Sequence, residues 1–292
     1  MPYGTVFRPG LFSGETIIVT GGGSGMGRCT AHELAHLGAK VVLVGRRKKN
    51  LQQVQKEIIA DGGKAELQVL DIREEEKVIA AVDMIIDREG PIHGLVNNAG
   101  GQFTAGLEDI SKNGWDAVVG TNLTGGFLMS REVFRQCMKK QSSGVIVNIT
   151  ADHWMSLPTM GHSGAARGGM ENFTKTAAVE WGRYGIRVNS VAPGWVITSG
   201  FDTYGSDWGQ HMRSLEKFIP LNRLGREAEV SAAIVFLLSP AAAFISGSCI
   251  RVDGAAPNMQ HNYTLPDGPG NRHFDGFHRE IMPSVLGGGT DN

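Results

Sequence analysis

The residues whose types and spacing most clearly indicate chemistry form a glycine-rich turn after a short apolar run that ends at Val19. Gly21 lets the chain turn sharply, Gly25 lets backbone approach a phosphate group, and Gly27 lets the next helix pack close to the strand. The start of that helix supplies N–H groups and a partial positive charge. This order of strand, turn and helix favours a pyrophosphate-binding turn over an empty tight loop. Its predicted members are Gly21, Ser24, Gly25, Met26 and Gly27.

Basic residues follow the second predicted strand, which ends at Gly45. In an NAD site an acidic residue near this position binds the adenosine ribose hydroxyls, whereas arginines suit a ribose 2′-phosphate. Four cations at positions 46–49 also oppose the helix macrodipole, which makes a solvated helix start the weaker explanation. Arg46 and Arg47 therefore predict NADP rather than NAD as the cofactor.

Two further loops at strand ends complete the predicted cofactor site. Asp71 and Ile72 follow the third predicted strand and flank the adenine in this interpretation, although Asp71 as a helix cap is an equal alternative. After the fourth strand, Asn98, Ala99 and Gly100 begin a loop of small residues, where a ligand can lie against backbone. A plain turn is the alternative for this second loop.

The elements that must position these loops follow from the pattern of apolar residues. From Thr16 onward, short β-branched runs alternate with stretches of helical periodicity, which predicts a doubly wound α/β fold. We expect a single Rossmann-type domain over residues 1–292, with one parallel sheet of seven strands and helices on both faces. The predicted strands are 17–20, 41–44, 67–70, 95–97, 145–149, 187–191 and 249–252, and the predicted helices lie near 26–37, 47–60, 74–88, 115–140, 163–184 and 227–238.

Two segments do not fit this alternation. Residues 195–222 are rich in Gly, Trp, Tyr and Ser and lack periodicity, which predicts a lid over the substrate. Residues 255–292 form an irregular tail that we expect on the surface or against a neighbouring subunit.

Composition argues against several classes of protein. The net charge of −1 provides no field for a polyanion, so nucleic acid is not expected as a partner. The three cysteines lie far apart and are predicted to be buried thiols in a reducing compartment rather than metal ligands. No run approaches the roughly 18 apolar residues of a membrane span, and the N-terminus lacks an apolar signal region. A cytoplasmic protein without a metal or membrane partner is expected.

Taken together, the motifs resemble those of the short-chain dehydrogenase/reductase family over residues 14–254. The resemblance rests on the glycine turn, residues 97–100, Asn122, Asn148 and the segment 193–198. It implies a nicotinamide cofactor and a dimer or tetramer assembled through the two long helices. By this resemblance, Asn98, Ala99 and Gly100 border the adenosine ribose and the centre of the cofactor, and Pro193, Gly194, Val196 and Thr198 line its nicotinamide side.

The catalytic positions depart from that family's pattern. The usual serine falls on Ala151, just after Thr150, and the usual tyrosine and lysine fall on Ser163 and Arg167. A serine hydroxyl does not ionise near neutral pH and an arginine relays no proton. These residues therefore suit the stabilisation of an enolate better than the oxidation of an alcohol. Arg167 can still bind the nicotinamide ribose.

The predicted catalytic set is Asn122, Thr150, Ser163, Arg167 and Tyr204. Tyr204 lies on the predicted lid and is the preferred candidate for the proton donor that the family's tyrosine would otherwise provide. For the residue itself, however, an apolar contact within the lid is favoured over a catalytic role. His162 could also donate a proton, but a helix-capping or lid contact is favoured there.

Within the family, residues 100–103, 162–167, 204–210 and 237–242 resemble the peroxisomal trans-2-enoyl-CoA reductases. That resemblance implies NADPH-dependent reduction of the double bond of an α,β-unsaturated acyl-CoA thioester. Residues 7–12 resemble bacterial proteins of citronellol and citronellal breakdown, for which an alcohol, an aldehyde or a thioester is the substrate to expect. A 3-oxoacyl dehydrogenase and a non-catalytic NADP-binding protein are further alternatives. The expected partner is a small molecule, either an acyl-CoA or a terpenoid.

Overall fold

A parallel sheet of seven strands forms the frame of the protein in this computed structural model, which describes residues 2–204, 212–259, 265, 268 and 270–286. Its strands are β1 (Thr16–Thr20), β2 (Lys40–Gly45), β3 (Lys64–Val69), β4 (Gly94–Asn97), β5 (Gly144–Ile149), β6 (Ile186–Pro193), β7 (Val196–Ile197), β8 (Gly225–Arg226) and β9 (Cys249–Val252). All but β7 and β8 belong to the sheet, whose order is β3-β2-β1-β4-β5-β6-β9. Every neighbouring pair in it is parallel. The predicted fold class is confirmed.

Helices cover both faces of this sheet, as predicted. They are α1 (Gly25–His36), α2 (Lys48–Ala60), α3 (Glu75–Glu89), α4 (Lys112–Val119), α5 (Gly125–Val133), α6 (Lys139–Gln141), α7 (Gly161–Gly182) and α8 (Glu227–Leu238). Helices α4, α5 and α6 form one helical run that corresponds to the single helix predicted for residues 115–140. Two π-helical turns, Gly120–Thr124 and Phe134–Met138, interrupt it. Such turns often mark functional positions in a helix.

Successive residues of β1 enter two separate hydrophobic clusters, one on each face of the sheet. Ile17 and Val19 pack with apolar residues of α1, α2 and α8. Ile18 points to the opposite face and packs with residues of α3, α5 and α7. Because both faces of a parallel strand are covered, its sequence is a continuous apolar run rather than an alternating one.

The strand order reverses at β1, which lies between β2 and β4. In sheets of this kind the connections diverge at the reversal and leave a crevice at the carboxyl ends of the strands. The glycine turn follows β1 and the loop that begins at Asn98 follows β4. Both predicted cofactor loops therefore lie at the same crevice.

A small two-stranded sheet, which the sequence pattern did not predict, joins the two ends of the predicted lid. Val196 pairs with Gly225 and Ile197 pairs with Arg226. Strands of two residues are too short for a periodicity to indicate them. The described part of the lid also contains 3₁₀ helices at Ser199–Tyr204 and Glu216–Phe218, while residues 205–211 lie outside the described residues.

The described part of the C-terminal tail packs against the N-terminus and α1 of its own chain. The Gly4 N–H donates to the Gly276 carbonyl at 2.8 Å. Arg279 donates two hydrogen bonds of 2.7 and 2.8 Å to the Asp61 carboxylate, and this guanidinium holds the pKa of Asp61 below its usual range. His278 Nε2 lies 2.9 Å from the same carboxylate. Because Arg279 neutralises Asp61, we interpret the cluster of Asp61, His278 and Arg279 as an ion-paired contact that holds the tail in place. Residues 260–264, 266–267, 269 and 287–292 of the tail lie outside the described residues.

Among the described residues, no helix combines the length and the apolar character needed to span a membrane.

Gly27→Ala is expected to destabilise the protein. A Cβ at this position would lie 2.5 Å from the Gly21 carbonyl oxygen and closer still to the Asn98 amide. Because backbone must move to relieve these contacts, the free energy of unfolding should fall by about 1–3 kcal/mol. Chemical denaturation followed by circular dichroism measures this change.

Gly182→Ala is the matched control, since a Cβ on this helical glycine meets nothing within 4 Å. Its free energy of unfolding should stay unchanged or rise by up to about 1 kcal/mol, because alanine favours the helix. Equal destabilisation by the two substitutions would contradict the packing argument.

Candidate functional site

The glycine turn has the geometry of an open anion-binding cradle. Gly21 and Gly25 have φ values of +67° and +57°, a backbone conformation that residues other than glycine rarely adopt. A Cβ on Gly25 would meet its nearest atoms only at 3.9 Å, so space remains in front of the turn. Helix α1 begins there, and its first turn contains no acidic residue. The free N–H groups and the helix dipole fit a pyrophosphate at this position.

A single hydroxyl ties the glycine turn to the loop after β4. Thr20 Oγ1 accepts hydrogen bonds from the backbone N–H groups of Asn98 and Ala99, each at 3.0 Å. The Asn98 side chain donates back to the Thr20 carbonyl, also at 3.0 Å. These bonds hold the two loops at a defined separation. Of the predicted residues, Asn98 thus has a structural contact at the edge of the cleft.

A buried chain of amides connects the strands behind the cleft to α7. Asn97 Nδ2 donates to Asn148 Oδ1 at 2.8 Å, and Asn148 Nδ2 donates to Thr174 Oγ1 at 2.9 Å. Asn97 also donates to Ser130 on α5 at 2.7 Å. Buried side-chain networks of this kind position the elements that they join. Helix α7, which carries Ser163 and Arg167, is therefore held in register with β4 and β5.

Asn122 holds the next part of the loop through two backbone contacts. It lies on the π-helical turn between α4 and α5 and is buried. Its Oδ1 accepts from the Gly101 N–H at 2.9 Å, and its Nδ2 donates to the Gly101 carbonyl at 3.0 Å. A Cβ on Gly100 would approach Arg167 Nη2 at 2.6 Å and Asn122 Oδ1 at 3.0 Å. The structure thus brings Asn122, Gly100 and Arg167 close together.

These loops enclose a cleft of about 260 Å³ that runs from the glycine turn across the carboxyl ends of β1, β2 and β4. Exposed Arg46 and Arg47 lie at one end, and Thr198 lies opposite the glycine turn. The predicted residues that line the cleft are Gly21, Ser24, Gly25, Met26, Arg46, Arg47, Asp71, Ile72, Asn98, Ala99, Gly100 and Thr198.

Asp71 forms a local turn rather than a cap on α3. Its carboxylate accepts from the Arg73 N–H at 3.1 Å and from the Arg73 guanidinium at 2.6 Å, while the residue before α3 is Glu74. The hydrogen bonds from Arg73 lower the pKa of Asp71. Ile72 is buried, and a Cβ added to Gly125 would collide with it.

Arg167 is a buried cation without a carboxylate partner among the described residues. Only 9% of the Arg167 surface is exposed. Its Nη1 donates to the Ile149 carbonyl at 2.5 Å, and its Nε has no hydrogen-bond partner among the described residues. Burial lowers the pKa of Arg167 to about 10. A guanidinium is rarely buried unless an anion or several acceptors compensate it. The residue therefore fits a ligand with oxygen acceptors, such as a ribose.

Ser163 is also buried, and its hydroxyl donates to Gln102 Oε1 at 2.7 Å. Since the amide oxygen is engaged in this way, the NH₂ group of half-buried Gln102 becomes the donor that faces away from Ser163. The Ser163 N–H donates to His162 Nδ1 at 2.8 Å. His162 Nε2 is buried and has no hydrogen-bond partner in the described part of the chain, and the ring packs edge-on against Phe103 with centroids 4.4 Å apart.

Other predicted residues lie apart from this group. Thr150 is buried, and its hydroxyl donates to the Val191 carbonyl of the neighbouring strand at 3.2 Å. Gly27 packs behind the glycine turn and does not line the cleft. Tyr204 ends a 3₁₀ helix, and its side chain lies outside the described part of the structure.

The turn between β6 and β7 leads to Thr198, which lines the cleft. The Gly194 N–H donates to the Val252 carbonyl at 3.0 Å, and a Cβ on Gly194 would lie 2.8 Å from the Asp253 Cα. Pro193 ends β6 and Val196 begins β7. Close packing against β9 thus fixes the direction in which the chain reaches Thr198.

Two residues near the cleft, Gln102 and Glu227, were not predicted from the sequence to be functional. Gln102 belongs to the motif at residues 100–103, but an amide side chain that directly follows two glycines carries no signal of its orientation. Glu227 begins α8 and is buried, with Oε1 3.9 Å from the position of a Gly25 Cβ. An acidic residue at a helix start reads from sequence as an ordinary partner of the helix dipole.

Arg167→Met is expected to stabilise the ligand-free protein. The substitution replaces a desolvated, unpaired cation by an apolar side chain of similar length, so the free energy of unfolding should rise by about 1 kcal/mol or more. Thermal and chemical denaturation measure it.

Arg28→Met is the matched control. Arg28 is buried to a similar degree but donates to the Glu57 carboxylate at 2.8 Å. Its removal leaves that acid unpaired and should lower the free energy of unfolding by about 3 kcal/mol. Destabilisation of both variants would contradict the interpretation of Arg167 as uncompensated.

Comparisons with known proteins agree with this geometry. The family model described as enoyl-(acyl carrier protein) reductase matches residues 21–255. A protein named as a probable 2,4-dienoyl-CoA reductase of Bacillus subtilis is 37% identical over 245 residues, which are 82% of this chain and 95% of the relative.

Two solved structures extend the comparison. The citronellol catabolism dehydrogenase (AtuB) of Pseudomonas aeruginosa is 57% identical and superimposes with a TM-score of 0.79, over 87% of this chain and 99% of that one. A gluconate 5-dehydrogenase of Burkholderia cenocepacia, in complex with NADP and tartrate, is 31% identical with a TM-score of 0.78, over 85% of this chain and 97% of that one. The matches over most of the chain, with the nucleotide cleft at the reversal of strand order, show that this protein belongs to the short-chain dehydrogenase/reductase family of NAD(P)-dependent oxidoreductases.

Proposed function

We propose that this protein uses NADPH to reduce the double bond of an α,β-unsaturated acyl-CoA thioester. The observation that carries the proposal is the pair Ser163 and Arg167 in the places where the family has a tyrosine and a lysine. Ser163 is buried and bonded to Gln102, and Arg167 remains protonated. Neither side chain can accept a proton from an alcohol near neutral pH. Relatives named as 2,4-dienoyl-CoA reductases support the substrate class.

The residues at the cleft fit an NADP molecule, whose reduced nicotinamide supplies a hydride to the β-carbon of the thioester when it is bound. The glycine turn would hold the pyrophosphate, and Arg46 and Arg47 would bind the 2′-phosphate. Arg167 would bind the hydroxyls of the nicotinamide ribose, which compensates its buried charge. The hydrogen bond to the Ile149 carbonyl and the close approach of Gly100 keep the guanidinium in place.

The protein's own contribution to the reaction is to stabilise negative charge that develops on the thioester oxygen. Ser163 positions Gln102, and the NH₂ group of Gln102 donates a hydrogen bond to that oxygen in our proposal. Preorganised donors of this kind lower the barrier because they need no reorientation as charge appears. The α-carbon is then protonated, for which Tyr204 on the lid remains the preferred donor.

Oxidation of a terpenoid alcohol is the second candidate function. The observation that favours it is the 57% identity with a dehydrogenase of citronellol catabolism. This function requires a general base, and the two side chains at the family's tyrosine and lysine positions do not provide one. A group on the lid or on the loop after β5 would have to serve.

A homo-oligomer, either a dimer or a tetramer, is part of the proposal. Phe127 on α5 and Val179 on α7 are exposed apolar residues on the two helices predicted to form an interface. Light scattering coupled to size-exclusion chromatography distinguishes a monomer from either assembly.

The two functions are separated by a substrate panel. We expect NADPH oxidation with 2-enoyl-CoA and 2,4-dienoyl-CoA esters and no NADP reduction with citronellol, both followed at the nicotinamide absorbance. Turnover only on citronellol would overturn the reductase, and turnover on neither would contradict both.

Ser163→Ala and Gln102→Ala are each expected to lower kcat for the thioester by about 10- to 100-fold. This decrease is smaller than the largest decreases in kcat that follow removal of an oxyanion-hole donor. Because Ser163 acts through Gln102, the double variant should be no worse than Gln102→Ala alone. Tyr204→Phe should lower kcat independently of both. Multiplicative losses in the Ser163/Gln102 double variant would refute the positioning role of Ser163.

Arg46→Ala and Arg47→Ala are each expected to raise the Kd of NADPH about tenfold and to leave the Kd of NADH nearly unchanged, since only NADPH carries the 2′-phosphate. Lys49→Ala removes one cation of the same basic run outside the cleft lining and serves as the control. A preference for NADH in the unaltered protein would refute the assignment of NADP.

A further inference from the structure

Glu227 is a buried carboxyl that lies at the pyrophosphate end of the cleft and has no role in the site described above. It is the first residue of α8, and only 3% of its surface is exposed. Its Oε1 and the Thr198 Cβ are the two atoms nearest to the open side of Gly25, each 3.9 Å from the position of a Cβ there. The carboxyl therefore borders the space in which the phosphates of the cofactor are expected.

The absence of a partner distinguishes Glu227 from other buried acids among the described residues. Glu33 accepts hydrogen bonds from the hydroxyls of Tyr3, Thr5 and Ser231. Glu132 accepts from the Arg131 and Arg135 guanidinium groups. The carboxyl of Glu227 receives no hydrogen bond in that part of the chain which the structure describes. An ionised carboxylate in this position would be desolvated and uncompensated.

The charged groups around Glu227 are engaged elsewhere. From α1, Arg28 donates to Glu57, while burial raises the pKa of the Cys29 thiol and keeps it neutral. From the tail, Glu280 pairs with Arg226 at 2.7 Å. Burial, followed by the nearby Glu280 carboxylate, raises the pKa of Glu227 to about 8, and Arg28 opposes this only in part. At neutral pH the group is therefore mostly protonated.

We propose that Glu227 is a protonation-gated member of the cofactor cradle, neutral when the dinucleotide phosphates are bound and opposed to their binding when ionised. The physical reason is that two anionic groups in a poorly solvated space repel strongly, whereas a neutral carboxylic acid can also donate a hydrogen bond. The proposal deepens the proposed function, since it rests on cofactor binding at the glycine turn.

A definite pH dependence follows from this arrangement. Well below pH 8 the Glu227 carboxyl already carries its proton, so its titration does not change the affinity for the cofactor. Above it, binding must take up a proton, and the affinity should fall by up to about tenfold for each pH unit. The 2′-phosphate does not contribute in this range, because its second pKa is about 6.

The test is the Kd of NADPH, measured by fluorescence titration of the full chain between pH 7 and pH 9.5. The unaltered protein should bind about tenfold or more weakly at pH 9.5 than at pH 7. Glu227→Gln should have about the same Kd as the unaltered protein at pH 7, and its affinity should fall much less between pH 7 and pH 9.5. Glu280→Gln is the control: it should keep the fall, with an onset at lower pH, because the acid that raises the Glu227 pKa is removed.

Calorimetry gives a readout that does not depend on the folding of any variant. NADPH binding to the unaltered protein in two buffers of different ionisation enthalpy should show uptake of about one proton at pH 9 and almost none at pH 7. Binding with a flat pH profile and no proton uptake overturns this proposal alone. No NADPH binding at any pH overturns the assignment of the cofactor as well.

Discussion

Backbone contact between the glycine turn and the loop after β4 is the constraint on which the rest of the site depends. Gly27 and Gly21 approach the Asn98 amide so closely that a methyl group on either would collide with it. The Thr20 hydroxyl joins the same two loops by hydrogen bonds. Because β1 and β4 are neighbours in the sheet, this contact fixes the cradle relative to the loop that reaches Asn122 and Arg167. The site is thus assembled by packing before any ligand contributes.

Buried ionisable side chains without an ion-pair partner among the described residues mark the functional region of this protein. Elsewhere a buried cation such as Arg28 meets a carboxylate, and the acid Glu132 meets two guanidinium groups. Arg167 and Glu227 are the exceptions among these, and both border the cleft. Each costs stability in the ligand-free protein, which is the pattern expected where local rules yield to function. In our proposals they contact different parts of one ligand: the cation binds an oxygen-rich ribose, and the acid makes a protonation-dependent contact near the phosphates.

The family frame is compatible with more than one reaction, because function resides in the side chains grafted onto it. The relatives are named as 2,4-dienoyl-CoA reductases, as a gluconate 5-dehydrogenase and as a dehydrogenase of citronellol catabolism. In this chain the hydroxyl of Ser163 is buried and turned toward Gln102. In our proposal, that contact directs the chemistry toward charge stabilisation on a carbonyl oxygen. Identification as an oxidoreductase also sets aside a purely non-catalytic NADP-binding protein.

The seven parallel strands, the alternation of strands with helices, the glycine turn and the family could all be predicted from the sequence. These follow from apolar periodicity and from glycines that are needed where backbone must turn or touch, both of which are local properties. The sequence also indicated that the usual tyrosine and lysine are replaced by Ser163 and Arg167. Three features became visible only in the folded chain: Thr150 donates to Val191, Gln102 is oriented by Ser163, and Glu227 is buried beside Gly25 without a hydrogen-bond partner among the described residues. Those features depend on contacts between elements far apart in the chain, and on desolvation that no local pattern records.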